Sequence, residues 1–290
     1  MQNIDIIGAC SDLGVHVDGA KLGPAILEKN LNQKNINKII NIKANNIKKE
    51  LDKNNLKKNL NEINIFNQKL YTEVLNSLNN NNFPLTLGGD HSIAIASALA
   101  SIKKYNNLGI IWFDAHGDFH TFESTISGNI HGLPFAAICN YEKKDLADFH
   151  NGNFYNPKNA VLVGGRDIDK PGEINNLKNA GVTIFTTEDI RNLGIDYVYN
   201  KAFEIASNGT NGVHVSYDLD VIDPNIAPGV SIPAVDGINL EEAYSFADYM
   251  IKNKEKIKSI DLVELNPLRD IENKTEKIAK KILNDLIKNL

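Results

Sequence analysis

Residues 109–118 read Gly-Ile-Ile-Trp-Phe-Asp-Ala-His-Gly-Asp. The apolar run Gly109–Phe113 passes without a break into Asp114, His116 and Asp118. A short run with no polar alternation suits a strand covered on both faces, the usual setting of a parallel sheet. The same reading applies to Ile4–Gly8, Pro84–Leu87, Ala160–Gly164, Val182–Phe185, Val213–Tyr217 and Ile260–Leu265, each closed by Gly, Asp or a polar turn. Helical patterns lie between them. Pro24 suits the first turn of a helix running through Leu31. Ser92–Lys104 is rich in Ala. Pro171 opens a pattern that reaches Ala180 and stops at Gly181. Asn239 and Glu242 form a capping-box pair. Ile278, Ile282, Leu286 and Leu290 make an apolar stripe along Thr275–Leu290. The alternation predicts one α/β domain over residues 1–290 with a mostly parallel central sheet. The Asn- and Lys-rich segment from Asn30 to Lys69 reads as a polar helical excursion.

The 290 residues are 42% hydrophobic and 23% charged, an ordinary globular composition that argues against wholesale disorder or a fibrous protein. Lys and Arg number 31 against 36 Asp and Glu, so the net charge is -5 and the basic excess of a nucleic-acid binder is absent. The most apolar stretch, Ile93–Ile102, is far shorter than the roughly 20 residues of a membrane span. The opening MQNIDIIGAC lacks the basic start and long apolar core of a signal peptide. These features predict a cytoplasmic protein with neither nucleic-acid nor membrane partners. Cys10 and Cys139 cannot build a disulfide framework and fit a reducing compartment as small buried hydrophobes.

Three polar clusters follow apolar runs: Gly88-Gly89-Asp90-His91-Ser92, Asp114-Ala115-His116-Gly117-Asp118, and Asp218-Leu219-Asp220 with Asp223-Pro224 beyond it. In extended chain, residues i, i+2 and i+4 share a side. Asp114, His116 and Asp118 therefore converge, as do Asp218 and Asp220. In parallel α/β sheets, ligands gather beyond the carboxyl ends of the strands. An Asp at one strand end is ordinarily a turn former or helix cap. Three such clusters, two of them with His, need another explanation. Buried carboxylates without counter-charge are strongly unfavourable, and metal supplies that charge. The carboxylates of Asp114, Asp118, Asp218 and Asp220 balance two divalent ions, with His91 and His116 as neutral ligands. Oxygen-rich mixed ligation without thiolate favours Mn2+ over Zn2+. Paired ions roughly 3.5–4 Å apart activate water for attack.

The motifs GGDHS, DAHGD and SYDLDVIDP, in this order, resemble the three signatures of the ureohydrolase superfamily. Ser127-Gly128-Asn129-Ile130-His131-Gly132, Val263-Glu264-Leu265-Asn266-Pro267 and the early Gly19-x-x-x-Gly23-Pro24 resemble its arginase branch. The resemblance implies an arginase-like three-layer α/β/α sandwich. It also implies two Mn2+ ions per chain, held by His91, Asp114, His116, Asp118, Asp218 and Asp220, with Asp114, Asp118 or Asp218 bridging. It implies that a metal-bridging hydroxide attacks the guanidinium carbon of L-arginine and gives L-ornithine and urea. His131 is implied as the proton shuttle and Glu264 as the acid that pairs with the guanidinium. Ser127, Asn129 and His120 fall at positions that hold the substrate carboxylate, and Asp169 near its α-amino group. A homo-oligomer, trimer or hexamer, is implied too. The chain departs from the branch at His120, where Asn is usual, and at Ile232, where Thr is common. Other ureohydrolase substrates, namely formiminoglutamate, agmatine or guanidinobutyrate, are the alternatives within the superfamily. A non-catalytic metal-binding member is the alternative outside catalysis.

Overall fold

The computed structural model describes residues 2–31, 34–142, 145–169 and 171–290. Its strands are β1 (Ile4–Cys10), β2 (Ile36–Lys43), β3 (Phe83–Gly88), β4 (Gly109–Phe113), β5 (Ala160–Gly165), β6 (Thr183–Thr186), β7 (Val213–Asp218) and β8 (Ile257–Val263). They form one eight-stranded sheet in the order β2-β1-β3-β8-β7-β4-β5-β6. Every pairing is parallel. The helices are α1 (Gly23–Leu27), α2 (Leu60–Asn79), α3 (Ala94–Tyr105), α4 (Pro134–Ile138), α5 (Gly172–Ala180), α6 (Thr187–Leu193), α7 (Ile195–Ser207), α8 (Leu240–Lys252) and α9 (Lys274–Asn289).

Strand periodicity sorts the core into two layers. Ile4, Ile6, Ile111, Phe113 and Val215 pack with Leu27, Val198, Phe246 and Ile282, under α1, α7, α8 and α9. Ile7, Ala9, Ile110, Trp112 and Leu162 pack with Leu70, Leu99 and Phe135, under α2, α3 and α4. Each fully buried Val, Leu, Ile or Phe among them contributes about 1.5–3 kcal/mol of transfer free energy. Helices on both faces leave β4 apolar along its whole length, as expected from Gly109–Phe113.

The predicted capping box of α8 is present: Asn239 accepts the amides of Glu241 and Glu242, and Glu242 accepts the amide of Asn239. Gly181 ends α5 at φ 89°. The first predicted helix stops at Leu27 rather than Leu31. The Asn- and Lys-rich segment differs more, although residues 32 and 33 lie outside the described residues. Its first half is the edge strand β2, not a helix, and only α2 from Leu60 is helical. Asn37 and Asn41 face polar partners there, donating to Asp5 and Glu28. Cys10 and Cys139 are buried and free. Among the described residues, no helix is long and apolar enough to cross a membrane.

Candidate active site

Five adjacent strands, β3, β8, β7, β4 and β5, deliver their carboxyl ends to one place. Close backbone packing shapes the first turn. A Cβ on Gly89 would lie 1.8 Å from the carbonyl oxygen of Ser11, so only glycine fits. Asp90 then accepts the amide of Ser92 through Oδ1 and that of Gly14 through Oδ2, both at 2.9 Å, and fixes His91 at the start of the next turn.

His91 Nδ1 faces three carboxylate oxygens: Asp114 Oδ2 at 2.9 Å, Asp218 Oδ2 at 3.1 Å and Asp118 Oδ2 at 3.2 Å. One nitrogen carries at most one proton and cannot satisfy three acceptors. The other ring nitrogen, Nε2, lies 2.9 Å from Ser216 Oγ. The imidazole stacks on Trp112 with centroids 4.0 Å apart, and Trp112 Nε1 donates to Asp114 Oδ2 at 3.0 Å. Ring stacking and both side-chain bonds thus hold the Nδ1 edge toward the acids.

A second group adjoins the first through Asp114. His116 Nδ1 lies 3.0 Å from Asp220 Oδ2 and 3.3 Å from Asp114 Oδ1. Ligand atoms of His91, Asp114 and Asp218, and of Asp114, His116 and Asp220, all come within 4.8 Å of one another inside each group. Asp118 Oδ2, buried and without a hydrogen-bond partner among the described residues, adds a fourth donor beside the first group. The arrangement fits divalent ions on three counts: lone pairs converge, a carboxylate oxygen is orphaned, and the groups share one acid. Asp114 is the acid common to both groups. Asp218 Oδ1 accepts the amide of Asp220 at 2.7 Å, just as Asp114 Oδ1 accepts that of His116 at 2.7 Å.

Electrostatics agree with that fit. Burial, then the charge of Asp114, pushes the Asp118 carboxyl up to about 8. Burial and the Asp220 charge raise Asp218 well above the carboxylate range. Asp114 goes the other way: against the effect of burial, His116 and His91 hold it low. Burial disfavours charge on His91, yet its three carboxylate neighbours raise it well above its ordinary value. Such a cluster calls for positive charge, and two dications provide it.

Glu264 follows β8 at φ 69° and is 2% exposed. Its Oε1 accepts the amide of His91 at 3.0 Å, whereas Oε2 has no partner among the described residues. His131 Nδ1 lies 3.7 Å from Glu264 Oε1, and the His131 amide donates to Gly14. Burial works against protonating His131, but Glu264, with Asp118 and Asp90 behind it, raises its pKa above the ordinary value.

Beyond this centre, Ser127 is exposed and its Oγ accepts the Asn129 amide at 3.2 Å. Asn129 is 6% exposed, and its Nδ2 lies 3.1 Å from His16 Nδ1. His120 meets Asp169 at 3.0 Å. Asp167, two residues before Asp169, comes within 3.9 Å of His116 Nε2. Ile232 is half-buried in its loop. A Cβ on Gly117 would lie 2.5 Å from the Glu173 carboxyl carbon, which explains the glycine of the second cluster. Glu173 accepts the amides of Phe119 and Asp169 and joins the loops after β4 and β5.

Sequence reasoning left several participants unassigned. Arg166 donates to the carbonyls of Asp220, Val221, Gly164, Ala234 and Val235, which pins the loop carrying Asp220. Ser216 and Trp112 were foreseeable only as members of the same strand faces as Asp218 and Asp114. His16 lies outside every motif and carries no local signal.

The Arginase family pattern matches residues 2–288. The arginase of Staphylococcus aureus strain COL is 41% identical over 286 residues, covering 95% of this chain and 94% of that one. The native structure of arginase from Bacillus caldovelox superposes with a TM-score of 0.90 at 33% identity, covering 99% of this chain and 98% of that one. The arginase of Entamoeba histolytica, solved in complex with L-ornithine, superposes with a TM-score of 0.90 at 31% identity and 99% coverage of both chains.

Proposed function

The chain belongs to the Arginase family, hydrolases that act on guanidino C–N bonds at a binuclear metal centre, and from that premise we propose that it converts L-arginine and water to L-ornithine and urea with two Mn2+ ions. The observation that carries the proposal is the pair of carboxylate–imidazole groups joined through Asp114, with the free oxygen of Glu264 beside them. The names of its relatives, and the L-ornithine bound to one of them, support arginine as the substrate. Oxygen-rich ligation without thiolate supports Mn2+.

When bound, the two ions would hold and acidify water next to the guanidinium carbon. The other functions fall to the chain. Glu264 Oε2 receives a guanidinium N–H and sets the orientation of the planar group. His131, beside Glu264, carries a proton to the amine that departs as the C–N bond breaks. Its raised pKa keeps that proton available near neutrality. Ser127 and Asn129 offer a hydroxyl and amide N–H to the substrate carboxylate, and Asp169 offers charge to its ammonium group.

Two expectations follow from these roles. His131→Ala should lower turnover by about 10²- to 10⁴-fold, the scale of a lost general acid, with Mn2+ content unchanged by elemental analysis. Loss of Mn2+ in that variant would instead make His131 structural. L-Arginine should also exceed agmatine in kcat/KM by about 100-fold or more, because polar groups built for a carboxylate are left unpaired without it. The test is a panel of L-arginine, agmatine, guanidinobutyrate and formiminoglutamate, assayed for urea and formamide with Mn2+-loaded protein. Urea from arginine supports the proposal, and formamide from formiminoglutamate alone overturns it.

A further inference from the structure

We propose that His120 is a positioning residue, which aims the Asp169 carboxylate at the α-ammonium of the amino-acid substrate. The inference rests on the arginine reading and assigns the device that reads the α-amino end. Both ring nitrogens of His120 are engaged: Nδ1 lies 3.2 Å from Ser124 Oγ and Nε2 lies 3.0 Å from Asp169 Oδ2. Ser124 Oγ already receives the Thr121 amide at 2.8 Å and Asn176 Nδ2 at 3.1 Å. Its own proton is therefore directed to His120 Nδ1, and the imidazole N–H falls on Nε2, pointing at Asp169. The side chain of His120 is 11% exposed, whereas that of Asp169 is 52% exposed. The histidine thus stands behind the carboxylate, poorly placed to touch substrate itself.

Asp169 is suited to a cation. Among the described residues, His120 is its sole ion-pair neighbour, so half of its surface faces open space. Glu173 ties the Asp169 backbone to Phe119, the residue after Asp118, at 3.2 Å and 2.9 Å. The Asp169 backbone is thereby held in fixed relation to the metal-ligand loop, and His120 alone contacts its carboxylate among the described residues. With the guanidinium at Glu264, the free end of arginine presents an ammonium and a carboxylate. The ammonium complements Asp169, and the uncharged pair Ser127 and Asn129 is left for the carboxylate.

The experiment compares L-arginine with 5-guanidinopentanoate, the same chain without the α-amino group, on Mn2+-loaded wild type, H120A, H120N, H120Q, D169A and H120A/D169A. H120A should raise KM for arginine about tenfold, the scale of losing a hydrogen bond to a charged group. kcat should change less, and the preference for arginine over 5-guanidinopentanoate should fall by a similar factor. H120Q places an amide N–H near the position of Nε2 and should recover most of the preference. H120N reaches only as far as Nδ1 and should behave like H120A. H120A should add nothing to D169A, because coupled residues are not additive. Equal losses on both substrates, full additivity with D169A, better rescue by Asn than by Gln, or loss of Mn2+ from H120A would each overturn the inference while arginine hydrolysis stands. No urea from arginine with the wild type would overturn the arginine reading and this inference with it.

Discussion

Asp118→Asn is expected to abolish tight binding of the metal pair and to lower urea release by about 10³-fold or more, equivalent to about 4 kcal/mol at 1.36 kcal/mol per decade. Asp118 Oδ2 is buried, has no hydrogen-bond partner among the described residues and lies 3.2 Å from His91 Nδ1. Asparagine keeps the shape and tolerates the φ of 48° at this position, so the backbone should not move. Only the charge is removed. A second consequence has the opposite sign. The folded-state carboxyl is pushed up to about 8, whereas an unfolded aspartate titrates near 3.9. The metal-free fold therefore binds a proton that the unfolded chain has lost, and its stability falls as pH rises from about 4 to about 8. Asparagine removes that cost. At pH 8 without metal, the variant should melt above the wild type. With Mn2+, the wild type should gain Tm and the variant should gain little. Calorimetry with and without Mn2+ reads both, and an unchanged Mn2+ response in the variant would exclude Asp118 as a ligand.

Glu264→Gln is expected to lower kcat/KM for arginine by roughly 30- to 5,000-fold, from the 2–5 kcal/mol that truncating one member of a buried, hydrogen-bonded charge pair costs. Glutamine can still accept the His91 amide, which Glu264 Oε1 receives at 3.0 Å. It then presents an NH2 where the orphaned Oε2 stood, and donor would meet donor at the guanidinium. Mn2+ content should not change, since Glu264 belongs to neither metal-ligand group. Steady-state kinetics beside elemental analysis separates the two effects. Activity within about threefold of wild type, well short of the loss that about 2 kcal/mol represents, would remove Glu264 from substrate contact.

The strand ends were readable because uninterrupted apolar runs lead straight into acids, as at Phe113–Asp114 and Tyr217–Asp218. The ordinary reading of those acids as turn formers also holds in part. Asp90, Asp114 and Asp218 each accept the amide two residues on through Oδ1. In Asp114 and Asp218 the other oxygen faces His91. One residue thus makes the turn and aims the ligand, which is why a local motif encodes so much of the site. β2 was not readable in the same way. In Ile36–Lys43 its isoleucines alternate imperfectly with Asn and Lys, and an edge strand has polar neighbours to accommodate them. The role of Ser216 needed the sheet order, because β7 lies beside β4 although β5 and β6 come between them in the chain. The partner of His120 is 49 residues away, so the motif alone suggested substrate contact.

Two ions bound at the groups joined through Asp114 are expected to enable the hydrolysis of arginine. Titrating chelator-treated protein with Mn2+ in a calorimeter, while assaying urea release from L-arginine at each addition, tests it most directly. The predicted result is two Mn2+ per chain, proton release on binding as the raised carboxyls ionise, and activity that is full only when the second site fills. Urea release at full rate with no Mn2+ or other divalent ion bound would contradict it.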